Sequence, residues 1–365
     1  MKIIIAGGGT GGHLYPGIAV AEEFLKRDPS NAVLFAGTEH GIEARVIPRE
    51  GYRIRFLKAE GLVGRSFLKK IRAAFILALS FYQALRIVSS EKPDIVIGVG
   101  GYASFSLVAA AGLMGVKTMI MEQNSVPGFA NRTLGRFAGA IAVTYQEGFS
   151  YFDRGKTYLT GNPVRKGILT REPSEPDSAY ADKGAFNVLV FGGSQGAQAI
   201  NRAVAGALNY LLDLRQNIRF IHQTGEAGLK AVEDAYRQLG FRYLAEPFIY
   251  RMSDAYAAAD MVICRAGATT LAEITVTGKA AVLIPYPFAA SNHQEFNARK
   301  LEDMGAAVVI TEKQLGAENL AKTIRELYEN GDRRARMQKA SKTLGRAGAA
   351  EKIVDIAMSL VRNRR

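Results

Sequence analysis

Two glycine-rich turns carry most of the chain's candidate chemistry. The first, Gly7-Gly8-Gly9-Thr10-Gly11-Gly12-His13, follows an apolar run at residues 3–6 and leads into a helical pattern of Leu14, Ile18, Ala19, Ala21 and Phe24. A strand, a tight turn and an amphipathic helix in that order bring backbone N–H groups close to a ligand at the positive end of a helix macrodipole. Such a turn can hold a phosphate or a sugar. Gly7, Gly9 and Gly12 also match the dinucleotide fingerprint, and a crowded turn that touches no ligand has the same pattern. His13 adds an imidazole on the first helical turn, whose ordinary pKa of about 6.5 suits a general base near neutrality.

The second turn, Gly192-Gly193-Ser194-Gln195-Gly196, follows a strand-like run at 188–191 and precedes a helical pattern through Leu212. Gly192-x-Ser194-x-Gly196 matches a nucleophile elbow, which would make Ser194 a nucleophile and requires an acid and then a histidine at later strand ends. His222 and His293 are present, but neither follows an acid in that arrangement, and an elbow leaves the first glycine turn unexplained. A diphosphate cradle uses the Ser194 hydroxyl and the N–H groups of Gln195 and Gly196. Further on, Arg265-Ala266-Gly267-Ala268-Thr269-Thr270-Leu271-Ala272-Glu273 follows the strand ending at Cys264. A helix starting near Thr269 sets Glu273 on its first turns, either to accept hydrogen bonds from a ribose diol or only to favour the helix dipole. Asn292, His293, Gln294, Glu295 and Asn297 form a polar cluster, and amides there suit sugar hydroxyls.

The elements that must position these groups alternate. Strand-like runs at 32–35, 53–57, 94–99, 117–121 and 140–144 follow the first strand, and runs at 218–222, 243–245, 261–264, 281–285 and 306–310 follow the second turn, all separated by helical patterns. This predicts an α/β fold of two Rossmann-like doubly wound domains facing a cleft, with ligands beyond the carboxyl ends of the strands. The first domain ends near Gly161-Asn162-Pro163, giving boundaries of 1–163 and 164–347, and a helical segment at 348–365 that can pack back on the first domain.

Composition narrows the class. The chain has 365 residues, of which 48% are hydrophobic, and a mean hydropathy of 0.00. It can bury two sizeable cores. The N-terminus shows no signal-type pattern and no apolar run is long enough to span a bilayer, which predicts a cytoplasmic protein. The lone Cys264 fits a reducing compartment, and four scattered histidines lack metal-ligand spacing. The net charge of +13 calls for an anionic partner. Part of it clusters at Arg49, Arg53, Arg55, Lys58, Arg65, Lys69, Lys70 and Arg72, just before Phe75, Ile76, Leu79, Phe81, Tyr82 and Leu85. A basic rim beside an apolar surface suits an anionic membrane surface, while a buried helix with a solvated basic end is the plainer alternative. No nucleic-acid-binding module accompanies the charge.

Over nearly its whole length the sequence resembles the MurG family of bacterial N-acetylglucosaminyltransferases, which have the two-domain type B glycosyltransferase fold. The matching segments are residues 7–16, Gly98-Val99-Gly100-Gly101-Tyr102, Glu122-Gln123-Asn124 with Pro127-Gly128 and Asn131-Arg132, residues 161–165, 191–197, His222-Gln223-Thr224-Gly225, 265–273, and His293-Gln294 with Asn297-Ala298. The resemblance implies inverting transfer of N-acetylglucosamine from UDP-N-acetylglucosamine to the 4-hydroxyl of muramic acid in undecaprenyl-diphosphate-linked lipid I. The product would be lipid II, formed for peptidoglycan at the cytoplasmic face of the membrane by a peripheral enzyme.

Carried over by position, donor contacts fall on Asn124, Arg165, Ser194, Phe248, Ile249, Glu273 and Gln294. Glu273 would take the ribose, Phe248 and Ile249 the uracil, and Gln294 the sugar. The acceptor side would use Thr10, Gly11, Gly12, His13, Tyr102, Glu122 and Asn131. Two positions depart from the family pattern: Met121 stands where many relatives have histidine, and Asn292 where aspartate is common. The second leaves open how the sugar-binding turn is held.

Inversion by one displacement needs a base on one face of the anomeric carbon and a stabilised diphosphate on the other. His13 is the expected base and Glu122 its competitor. The helix after Ser194, with Arg265, would stabilise the leaving group, and neither metal nor cofactor is expected. Two other classes compete: a nicotinamide-dependent oxidoreductase, for which Glu39 is the only acid at the tip of the second strand, and a non-catalytic nucleotide-sugar or lipid-binding protein.

Overall fold

Runs of Ile and Val with no polar alternation can be satisfied only by strands buried on both faces, and parallel sheets covered by helices provide that environment. The computed structural model describes residues 1–59, 67–170, 179–180, 182, 184–193 and 195–362, with the side chains of residues 67–74 and of Ser291 outside the description. The chain divides into two compact units, Met1–Arg165 with Arg346–Arg365, and Lys166–Gly345.

The first unit holds β1 (Lys2–Gly7), β2 (Ala32–Gly37), β3 (Arg53–Phe56), β4 (Ile95–Gly100), β5 (Lys117–Glu122), β6 (Ala140–Val143) and β7 (Thr157–Leu159), all parallel, in the order β3-β2-β1-β4-β5-β6-β7. Its connecting helices are α1 (Gly11–Arg27), α2 (Glu43–Arg49), α3 (Phe67–Glu91), α4 (Tyr102–Leu113) and α5 (Phe129–Leu134). The order reverses between β1 and β4, so the turns after these two strands lie side by side at the carboxyl edge where doubly wound sheets bind ligands. Strand β7 is an addition to the sequence reading, since three residues are too few for a legible pattern.

The second unit repeats the plan with α6 (Lys166–Thr170), β8 (Phe186–Phe191), α7 (Gln198–Ala207), β9 (Ile218–Gln223), α8 (Leu229–Leu239), β10 (Arg242–Glu246), α9 (Met252–Ala258) and β11 (Met261–Cys264). It continues with α10 (Ala268–Thr277), β12 (Ala280–Leu283), α11 (His293–Asp303), β13 (Ala307–Val309), α12 (Ala317–Glu329) and α13 (Gly331–Leu344), in the strand order β10-β9-β8-β11-β12-β13. Strand β12 stops short of the expected 281–285 because its ladder with β13 ends at Leu283 and Pro285 has no N–H to extend it.

The last helix, α14 (Ala349–Arg362), belongs to the first unit. Its Ile353, Val354 and Ala357 enter the core formed by Ile3, Ile5, Ile18 and Phe24. Arg27 on α1 donates to Asp355 at 2.6 Å, but such half-exposed pairs contribute little, and the apolar stripe holds the helix.

Candidate active site

In the first unit three turns converge at the carboxyl ends of β1, β4 and β5. The glycine turn after β1 places Thr10 at the N-cap of α1 and Gly11, Gly12 and His13 on its first turn. The His13 ring packs against Gly100, at the end of β4, so close that a Cβ on Gly100 would fall 2.5 Å from the ring Cδ2. Gly100 also has φ of +106°, a region open to glycine. Tyr102 opens α4 two residues later and is exposed. Gln123, just past β5, donates from its amide to the Val99 carbonyl at 3.0 Å and ties the third turn to the second.

Glu122 closes β5 with only 2% of its surface exposed. Its oxygens accept from the Asn124 N–H at 3.0 Å, the Asn124 side chain at 3.3 Å, the Gly128 N–H at 3.3 Å and the Asn131 amide at 2.9 Å. Burial pushes its carboxyl group upward from the usual range, and these hydrogen bonds oppose that push in part. The same Asn131 amide donates to the Met121 carbonyl at 3.0 Å. Glu122, Asn124 and Asn131 are thus brought together as one hydrogen-bonded turn, in which position 121 contributes its backbone and a buried side chain. Arg165, at the end of this unit, stacks its guanidinium 3.9 Å over the Tyr15 ring on α1.

The second unit gathers its candidates at the ends of β8 to β12. Ser194 lies outside the described residues. On either side of it, Gly193 accepts at its carbonyl from the Gln223 amide at 2.8 Å, and the Gln223 oxygen accepts from the Ile249 N–H at 2.9 Å. Gln223 therefore ties the glycine turn to the 248–249 segment. The Ile249 side chain is buried, while Phe248 packs edge-to-face on Tyr250 with centroids 4.7 Å apart.

Glu273 sits on the second turn of α10, with no acid on the first. The helix-dipole reading therefore loses its basis, because that effect fades within the first turn. The carboxyl group is buried and accepts from the Tyr256 hydroxyl at 3.1 Å. Gln294 accepts from the Tyr286 N–H at 3.0 Å. Asn292 adopts φ of +51°, which Asn tolerates, and donates to Glu295 at 2.9 Å, so the turn keeps a side-chain tie despite the departure from aspartate. Arg265 has its Nη2 2.6 Å from Glu312, and its Nη1 donates to the Ile284 and Pro285 carbonyls at 3.2 Å each.

The elbow reading finds no support in His222, whose ring is fully buried between the Tyr236 hydroxyl at 2.9 Å and the Asn201 oxygen at 3.1 Å, with no carboxylate among the described residues bonded to it. Glu39, the acid a dinucleotide enzyme would use, is exposed. The buried acid of that region is Glu43, which sequence reasoning missed, as it missed a role for Gln223 and Glu312. The one available signal for Glu43 was an acid set among the glycines that follow β2. Among the described residues no His, Cys, Asp and Glu group could hold a metal ion.

The N-terminal domain of glycosyltransferase family 28 matches residues 3–143 and its C-terminal domain matches residues 187–353. The chain belongs to glycosyltransferase family 28. It is 49% identical, over all of both chains, to a protein of Thermodesulfovibrio yellowstonii named UDP-N-acetylglucosamine--N-acetylmuramyl-(pentapeptide) pyrophosphoryl-undecaprenol N-acetylglucosamine transferase. A Myxococcus xanthus protein of the same name is 47% identical, across 99% of this chain and 93% of that one. Among solved structures, Acinetobacter baumannii MurG matches with a TM-score of 0.74 and 29% identity, covering 98% of this chain and 99% of that one.

Proposed function

We propose that the protein transfers N-acetylglucosamine from UDP-N-acetylglucosamine to the 4-hydroxyl of muramic acid in lipid I, with inversion, and so forms lipid II for peptidoglycan. The observation that carries this reading is the end-to-end likeness to transferases named for that reaction, at 49% and 47% identity. It joins a chain in which both glycine turns, the buried Glu273 and the Gln294 turn occupy the strand ends where ligands bind.

In this reading the second unit holds the donor. Glu273 accepts from the ribose hydroxyls, Phe248 and Ile249 flank the uracil, and Gln294, whose oxygen is already engaged, offers its NH2 donors to the sugar. The diphosphate leaves toward the second glycine turn, where α7 carries no acid on its first turn to repel it. Arg265 acts there through the turn it braces, with Glu312 beside its charge. In the first unit His13 is the base: it takes the acceptor hydroxyl proton as the new C–O bond forms and the bond from the anomeric carbon to the diphosphate oxygen breaks. Glu122 is the weaker candidate because four donors already occupy its oxygens, which makes it the organiser of the acceptor turn.

The same reading puts the enzyme at the cytoplasmic face of the membrane as a peripheral protein. No helix among the described residues is long and apolar enough to cross a membrane. Helix α3 buries Ser80, Ala84 and Val88, and on another face exposes Phe75 (72%) and Tyr82 (57%), one helical repeat of seven apart. Of the basic rim, Arg53 and Arg55 pair with Glu91, whereas Arg65 and the side chains of Lys69, Lys70 and Arg72 lie outside the described residues.

The test is incubation of the protein with labelled UDP-N-acetylglucosamine and a lipid I analogue. A labelled disaccharide lipid with a β-1,4 bond is expected. Release of UDP without that product, or no reaction, would reject the assignment.

A further inference from the structure

Glu43 takes no part in the transfer as described, yet it is among the most enclosed acids of the first unit, with 1% of its surface exposed. One carboxyl oxygen accepts from the Gly9 N–H at 2.7 Å. The other accepts from the Thr38 N–H and the Thr38 hydroxyl, both at 2.8 Å. An ionised carboxyl group, which only accepts, fits three converging donors better than any neutral side chain of its size. The backbone makes room for it: a Cβ on Gly8, Gly37 or Gly41 would overlap Glu43 side-chain atoms. The acid is therefore enclosed by the glycine turn on one side and the β2–α2 connection on the other.

The glycine turn is held from its opposite side as well. A Cβ on Gly7 would strike the Gly100 carbonyl, and one on Gly101 would come within 2.9 Å of the Gly8 carbonyl oxygen. Residues 7–9 are thus wedged between Glu43 and the Gly100-Gly101 backbone, and Gly100 is also the surface on which His13 rests. A turn of consecutive glycines has more backbone freedom to lose than any other sequence, so something outside it must fix its shape. Glu43 supplies that restraint by binding Gly9, four residues before His13.

We infer that Glu43 is a positioning residue: it locks the first glycine turn and thereby sets His13 against Gly100 for proton removal from the acceptor. This rests on the reading of His13 as the base. A misplacement of about 1 Å can cost about a hundredfold in rate without any contact to the reacting atoms. Glu43→Gln keeps the size but turns an NH2 group toward one of the donors, so the turn loses its hold.

The experiment compares Glu43→Gln, His13→Ala and the double variant by kcat, donor KM, UDP affinity and melting temperature, with UDP-N-acetylglucosamine and a lipid I analogue. Glu43→Gln is expected to lower kcat about 10- to 100-fold, with donor KM and UDP affinity unchanged, and the double variant to be no slower than His13→Ala alone. Wild-type kcat in a folded Glu43→Gln protein overturns the inference, as do losses that multiply in the double variant. A role in fold stability alone would lower the melting temperature without this kinetic coupling. If Glu43→Gln does not fold, Thr38→Val, which removes one donor and leaves the acid, should slow turnover several-fold with the same coupling. No slowing, or a loss that multiplies with His13→Ala, again overturns it. A slow Glu43→Gln enzyme beside a fast His13→Ala enzyme would reject the base reading and this route through it. A slow His13→Ala beside an unaffected Glu43→Gln would reject the Glu43 assignment alone.

Discussion

The two glycine turns share a strand-turn-helix plan but are fastened by opposite chemistry. After β1, the acid Glu43 accepts from the Gly9 N–H, so one backbone donor of the turn is already engaged and a carboxyl group lies behind it. After β8, the neutral Gln223 donates to the Gly193 carbonyl and accepts from the Ile249 N–H. That clamp engages a carbonyl of the second turn and introduces no charge. An anionic diphosphate is favoured where no acid stands behind the turn, and α7 has none on its first turn; the Gly196 N–H, expected to serve the diphosphate, instead donates to the Gly193 carbonyl at 2.9 Å. A base at the first turn, as proposed for His13, gains instead from a turn whose shape is fixed from outside. On the proposed assignment, a different residue in each unit thus fixes a base turn and a leaving-group turn on a repeated scaffold.

The strongest way to break this comparison is His13→Ala. If His13 removes the acceptor proton, kcat should fall by roughly 10²–10⁴ while UDP affinity holds, because in the proposed reading the donor is held mainly by the other unit. Single-turnover rates and thermal melts on this one variant decide it. A normal melt with near wild-type turnover would remove His13 as base and make Glu122 the next residue to replace.

Glu273→Ala is the matching cut in the second unit. A charged acceptor lost from a ribose diol costs about 1.5–3 kcal/mol, so donor KM should rise roughly tenfold to a hundredfold while kcat holds. The acceptor KM should not move. An unchanged donor KM would leave Glu273 as a partner of Tyr256 and nothing more.

A smaller effect is expected from making the second clamp resemble the first. Gln223→Glu keeps an acceptor for Ile249 but sets a carboxyl oxygen against the Gly193 carbonyl. Loss of that buried hydrogen bond should weaken UDP binding about tenfold, measured by calorimetry. Wild-type affinity would mean that the clamp's chemistry does not matter and that the contrast between the turns is incidental.

The sheets and both glycine turns were legible because their signals are local. A parallel strand buried on both faces reads as an unbroken apolar run, as at residues 3–6 or 188–191, and glycines mark where it ends. The fasteners were not legible, because each depends on groups distant in sequence. Glu43 meets Gly9 across 34 positions and Gln223 meets Gly193 across 30, and nothing near either residue shows the contact. The residues around Glu273 left its ribose and helix-dipole readings open for the same reason: Tyr256, its partner, is 17 residues earlier on another helix. The placement of α14 was likewise open until its apolar stripe met α1, since an amphipathic pattern shows that a helix has a buried face but not what covers it.

The mildest test concerns acid stability and the histidine of the second unit. His222 is buried with its Nε2 facing the Asn201 oxygen and its Nδ1 facing the Tyr236 hydroxyl. Asn201 donates its own NH2 to the Thr224 carbonyl at 2.8 Å, which fixes its oxygen toward the ring, so Nε2 carries the proton and Nδ1 accepts. Burial of this neutral ring pushes its pKa from the ordinary 6.5 down to about 3. Between those values the unfolded chain binds a proton that the fold does not. Its contribution is therefore complete above about pH 6.5 and is lost as pH falls toward 3, at about 1.4 kcal/mol per pH unit. His222→Gln should be less stable at neutral pH, because it breaks the pair of hydrogen bonds. It should also lose less stability than the wild type between about pH 6.5 and 5, a window above the titration of most carboxyl groups. Urea unfolding of both proteins across that window gives the two slopes, and equal slopes would mean that His222 takes up its proton without unfolding.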